Sequence, residues 1–277
     1  PPDDDPKYTI VNDAVASTFS RSYATLQAAC RSGIKGNWSA TIQSMSKNMK
    51  TDGMEFDFEA GKGWDELSSE MANDLLINLP RNIESLRIDN SPHGSLLIDG
   101  VTEYVRTSKN LKSLYISYTT VGDKDVGARL AKALSQVGTI EKLELHDTDL
   151  VGSRNAVEWG EALTEMKSLK KLIIQGKGKF EGGPFPDAML LDGGIQFFEG
   201  VAKSASLERL SMFYHGYGKE AIVALGNALT NNHTITEVWI GEKGSTKKDE
   251  VKAAVEKLKE DMKDRIPKVD IYYMDSK

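Results

Sequence analysis

Four histidines, one cysteine and 41 carboxylates are the residues of this 277-residue chain best suited to acid–base, nucleophilic or metal chemistry. Their spacing forms no catalytic pattern. His93, His146, His215 and His233 are not placed as local ligand pairs, and no HExxH or GxSxG signature occurs. The glycine-rich stretch that starts at Gly176 lacks the GK[ST] ending with which a P-loop holds phosphate. Cys30 stands alone, so an internal disulfide, a thiolate zinc cluster and a CxxC redox pair are excluded. Asn37-Trp38-Ser39 and Asn232-His233-Thr234 are N-glycosylation triplets, of consequence only in a secreted chain. The composition therefore predicts no catalytic residue, no metal and no cofactor.

The remaining chemistry is that of binding. Thirty-five basic against 41 acidic residues leave a net charge of −6, which disfavours a nucleic-acid or anionic-membrane surface as partner. No apolar run reaches the length of a membrane-spanning helix. The chain opens on Pro1-Pro2-Asp3 without a methionine, which suits a processed organellar or secreted chain as well as a cytoplasmic one.

The elements that position any binding residues are set by a repeat. The hexad apolar-x-x-apolar-x-apolar recurs at Ile83/Leu86/Ile88, Leu111/Leu114/Ile116, Ile140/Leu143/Leu145, Leu169/Leu172/Ile174, Leu207/Leu210/Met212 and Ile235/Val238/Ile240. A weaker copy closes the chain at Ile266/Val269/Ile271, and a degenerate one opens the series at Thr51/Met54/Phe56. Most steps are 28 or 29 residues. Between hexads the apolar period changes to that of a helix, as in Val126, Leu130, Ala133 and Leu134, or Leu67, Met71, Leu75 and Leu79 ahead of Pro80. Further inward faces are expected at Val101/Tyr104/Val105, Val157/Gly160/Leu163, Ile195/Phe198/Val201, Ile222/Leu225/Leu229 and Val251/Val255/Leu258/Met262. Each unit is a strand, a turn, a helix and a return loop. One unit cannot bury its apolar side alone, and stacking makes the core continuous.

Residues 111–134 and 218–240 carry the fullest copies, and on them the chain resembles the leucine-rich-repeat family, in its long ribonuclease-inhibitor type. The resemblance implies an α/β solenoid, or horseshoe, with a parallel sheet on the concave face and helices on the convex face. The expected division is an N-terminal tail and helical cap over 1–50, followed by about eight repeats over 51–277. Where the family places Asn or Cys after the strand, this chain has Ser91, Thr119, Thr148, Lys177, His215 and Lys243, so the turn backbone needs another partner.

With hexad positions 1, 4 and 6 inward, positions 3, 5, 7 and 8 line or border the concave sheet. Phe58, Tyr115, Tyr118, Phe213, Tyr214, Trp239, Tyr272 and Tyr273 fall there, about three times the aromatic share of the whole chain. Arg209 and His146 lie among them, with mixed charge around. The step from 169 to 207 exceeds the others by about ten residues, and the excess (175–191) carries Phe180 and Phe185 beside the same face. These features predict a protein partner, held by Tyr115, Tyr118, His146, Phe213, Tyr214, Trp239, Arg209, Phe180 and Phe185. The chain would serve as a non-catalytic adaptor, inhibitor or accessory subunit of a large multi-subunit assembly. The resemblance also implies two alternatives: a regulator of a small GTPase or other nucleotide-binding protein, and a recognition domain of an immune or effector protein.

Overall fold

Each apolar hexad forms a strand, because its alternation sends one side of the extended chain inward and the other to solvent. The structure is a computed structural model that describes residues 54–59, 69–77, 79, 81, 83–89, 94–119, 121, 124–146, 148–152, 155–176, 194–213, 219–243 and 248–276. The order is β1 (Met54–Glu59), α1 (Ser69–Ile77), β2 (Ile83–Asp89), α2 (Gly94–Thr107), β3 (Ser113–Ser117), α3 (Lys124–Ser135), β4 (Lys142–His146) and α4 (Ala156–Glu165). It continues with β5 (Lys171–Gln175), α5 (Gly194–Lys203), β6 (Arg209–Phe213), α6 (Lys219–Asn231), β7 (Glu237–Lys243), α7 (Lys248–Asp261) and β8 (Asp270–Ser276). The eight strands make one parallel sheet in sequence order, and each helix packs on the next. This is the expected open solenoid, concave sheet against convex helices. The proposed cap over 1–50, with Cys30, lies outside the described residues.

From β2 to β7 the register keeps hexad positions aligned: Leu86, Leu114, Leu143, Leu172, Leu210 and Val238 stand side by side, and all are fully buried. Each such side chain contributes about 2 kcal/mol of burial. At the two ends the register departs from the sequence reading. Val238 pairs with Ile271 and Ile240 with Tyr273, so the last hexad starts at Lys268 rather than Ile266. Ile266 is 87% exposed, and Tyr273 packs against the core instead of joining the concave face. At the other end Phe56 pairs with Leu86 and Phe58 with Ile88, which moves Phe58 from position 8 to position 6. Both shifts are by two residues, which keeps the pleat and changes only which apolar residue meets which neighbour.

Two helix faces also differ from the expected ones. Val157 and Ile195 are exposed, while Trp159 and Phe197 are fully buried. The larger rings take the inward positions: the Trp159 indole N–H donates to the Leu150 carbonyl at 2.9 Å, and Phe197 meets Phe198 edge to face at 5.6 Å. Helices α4 and α5 touch backbone to backbone at Gly160 and Gly200, where a Cβ on Gly200 would overlap the Gly160 carbonyl.

In two of the turns threonine takes the place of the missing asparagine. Thr148, buried, donates to the Thr119 carbonyl at 2.8 Å and accepts from the Leu150 N–H at 3.3 Å; Thr119 donates to the Ser117 carbonyl at 3.0 Å. At the opposite rim the residue before four of the hexads does the same. Thr139 donates to the Leu111 carbonyl, Ser168 to Gly138, Ser206 to Leu169 and Thr234 to Leu207, each reaching back one repeat. These bonds satisfy the carbonyls that a solenoid leaves open at every turn.

Candidate functional site

The concave face is built by positions 3, 5 and 7 of each strand. Position 5 reads Arg87, Tyr115, Glu144, Ile173, Ser211, Trp239 and Tyr272 across adjacent strands, and position 7 reads Asp89, Ser117, His146, Gln175, Phe213, Gly241 and Met274. Because neighbouring strands of a sheet stand about 4.8 Å apart, consecutive side chains of a row are in contact. Two clusters result.

The first spans β2 to β5. The Arg87 guanidinium sits 4.0 Å above the Tyr115 ring and is held by Asp89 at 2.7 Å. Tyr115 stacks on the His146 ring at 5.2 Å. His146 Nε2 lies 3.3 Å from Glu144, and Nδ1 lies 3.1 Å from the Gln175 side-chain oxygen. Lys142 and Lys171 reach the other Glu144 oxygen at 2.6 and 3.5 Å. The hydrogen bond from His146, aided by the two lysines and opposed by partial burial, holds the Glu144 carboxyl at a pKa of about 2. An anion at this position is thus compensated on three sides, and the cluster is set before any partner arrives.

The second spans β6 to β8. Trp239 stacks on Tyr272 with centroids 4.3 Å apart and planes 19° from parallel. Arg209 lies 5.5 Å from the Trp239 ring centre, and Glu237 ties the two together by accepting from the indole N–H and pairing with the Arg209 guanidinium at 3.4 Å. The Phe213 ring lies beside Gly241, where a Cβ would approach it to 2.6 Å. Only glycine leaves that ring its place.

Of the residues expected at the site, Tyr115 and His146 meet in the first cluster, and Arg209, Phe213 and Trp239 stand together around the second. Tyr118 follows β3 with a positive φ of 47° and is 52% exposed. Tyr214, Phe180 and Phe185 lie outside the described residues. Gln175 and Met274 were not singled out; their place follows from the alternation once the register is known. Among the described residues no group of three or more His, Cys, Asp or Glu side chains is arranged to hold a metal ion, and no helix is long and apolar enough to cross a membrane.

Eight parallel strands alternating with helices in an open sheet, with a ladder of four hydroxyls along one rim, define a leucine-rich-repeat solenoid. Among solved structures the chain is similar to the leucine-rich repeat-containing protein LegL7 from Legionella pneumophila, at 15% identity over 93% of this chain and 79% of that one, with a TM-score of 0.51. It is also similar to the actin-binding site 2 of leiomodin-1 (14% identity, 72% of this chain, 91% of that one, TM-score 0.44). A tropomodulin C-terminal domain from Caenorhabditis elegans gives 16% identity, 60% and 92% coverage and a TM-score of 0.43. The likeness is one of fold. No protein-family model matches the chain, and no curated protein does.

Proposed function

We propose that the chain is a non-catalytic scaffold that binds a protein partner on its concave face, as an adaptor, an inhibitor or an accessory subunit. The observation that carries this reading is the second cluster, in which an open sheet presents a stacked tryptophan–tyrosine pair braced by Arg209 and Glu237. Aromatic and arginine side chains supply most hot-spot energy at protein interfaces, and bracing lowers the entropy lost when they are covered. Tyr118 adds support: a bulky residue held at positive φ costs about 1 kcal/mol, and such strain is retained chiefly where a side chain is needed in place. Tyr115, His146 and Phe213 extend the same surface, with Tyr214, Phe180 and Phe185 as further members of the proposal. Balanced charge on the face fits a protein better than nucleic acid.

The test is comparative affinity purification with the unaltered chain and a Trp239→Ala/Tyr272→Ala double variant, both checked for fold by circular dichroism. Chains captured by the first and lost by the second support the reading. An identical set captured by both removes the concave face from the function.

A further inference from the structure

Between the two clusters the concave face changes character. Position 5 there is Ile173 on β5 and Ser211 on β6, and both are buried, whereas Glu144 and Trp239 on either side are half-buried. Ser211 has the smallest side chain of the row, with Ile173 and Trp239 beside it and Arg209 and Phe213 before and after it on the same face of β6. Its hydroxyl is buried and has no hydrogen-bond partner among the described residues, and the same holds for the Nε of Arg209. Buried polar groups are nearly always paired, and an arginine Nε can only donate. Two such orphans on one face of one strand mark a place for an acceptor.

The charge around them gives the acceptor its sign. Position 3 reads Ser85, Ser113, Lys142, Lys171, Arg209, Glu237 and Asp270, so three cations stand next to one another at the centre of the sheet. Two carboxylates of the face answer them. Glu144 takes both lysines, at 2.6 and 3.5 Å, and Glu237 takes the Nη1 of Arg209 at 3.4 Å. Asp270 is held by Lys268 at 2.8 Å. One positive charge is left over, together with the Nε edge of the Arg209 fork. A carboxylate matches this remainder: it brings one negative charge and two acceptor oxygens, one for the Arg209 Nε and one for the Ser211 hydroxyl. A phosphate dianion brings one charge too many. Building on the concave-face reading, on which this site depends, we infer that Lys171, Arg209 and Ser211 form a carboxylate site for an aspartate or glutamate side chain in an acidic segment of the protein partner. Of the side chains around Ser211, Arg209 has the most rotatable bonds and is 35% exposed, so access to the hydroxyl comes with a change of its rotamer.

The test is fluorescence anisotropy of the full chain with fluorescein-labelled hexaglutamate as probe, beside a phosphoserine peptide of the same length. The variants are Ser211→Ala, Arg209→Gln and, as a control exposed on the convex helix α3, Lys132→Gln. Hexaglutamate is expected to bind saturably, about tenfold more weakly to Ser211→Ala and Arg209→Gln, and unchanged to Lys132→Gln. Ser211→Ala removes an unpartnered buried hydroxyl, so it melts no lower than the unaltered chain, which separates weaker binding from loss of fold. No binding of hexaglutamate, equal binding to Ser211→Ala, a lower melting temperature for that variant, or tighter binding of the phosphoserine peptide overturns the proposal. In affinity purification, chains lost by Trp239→Ala/Tyr272→Ala but kept by Ser211→Ala remove the carboxylate site and leave the concave-face reading standing.

Discussion

Arg265 occupies, one repeat on, the place that Asn232 holds in the repeat before it. Asn232 donates to the Val201 and Ser204 carbonyls at 2.9 and 2.7 Å. Arg265 donates to the Leu229 carbonyl at 2.9 Å and to the carbonyl of Asn232 itself, which lie 28 residues further along. It also reaches the Ile235 carbonyl at 2.9 Å, the acceptor that Thr234 serves as donor to Leu207 one repeat earlier. One guanidinium thus does the work of an amide and a hydroxyl, joining the last repeat to the stack.

Removing it strands several main-chain acceptors. Arg265→Ala is expected to cost about 3 kcal/mol, and Arg265→Lys to recover only part of this because a single ammonium cannot span the three carbonyls. Urea unfolding curves of the three proteins check the order.

Asn232 is 1% exposed, and its side-chain oxygen accepts from the Thr234 and Ile235 N–H groups while its nitrogen donates twice. The triplet that begins there is closed to glycosylation in the folded chain. Expression through a secretory route followed by peptide mass spectrometry should find Asn232 unmodified. Asn232→Asp, which removes both donors, should lower stability by about 2 kcal/mol in thermal melts.

Glu144 carries a pH dependence of definite sign. Its folded pKa of about 2 lies below the ordinary 4.5, so the stabilisation is fully present above pH 4.5 and is lost as pH falls toward 2. The amount is about 3 kcal/mol. Glu144→Gln should flatten the acid limb of a stability–pH curve measured by denaturant titration. An unchanged limb would separate Glu144 from the acid response.

Close helix contact at Gly160 and Gly200 predicts that Gly200→Ala destabilises by about 2 kcal/mol, since the added methyl meets main-chain atoms of α4 that cannot swing aside. Gly138→Ala meets nothing within 4 Å and should leave stability nearly unchanged. Differential scanning calorimetry of both distinguishes a packing effect from a general sensitivity to glycine replacement.

The interior strands were legible in the sequence because the apolar hexads carry both the strand period and its spacing. At β1 and β8 the same apolar parity offers two solutions, Phe56 or Phe58 and Ile271 or Tyr273, and a strand with one neighbour has half the restraint that selects between them. The faces of α4 and α5 were misread where Val157 and Ile195 competed with Trp159 and Phe197, because periodicity does not weigh side-chain volume. The concave row depends on parity alone, so the places of Tyr115, His146, Arg209 and Trp239 on that face were legible. The role of Arg265 was not, since nothing in an arginine announces that its partners are carbonyls of the preceding repeat.

The concave-face account is tested most directly by placing a photo-reactive benzophenone side chain singly at Tyr115, at Trp239 and at Val223, which is exposed on the convex helix α6. Irradiation in native extract is expected to join Tyr115 or Trp239 variants to a protein other than this chain, and to leave the Val223 variant without that adduct. An adduct formed from Val223 and from neither concave position would contradict the account.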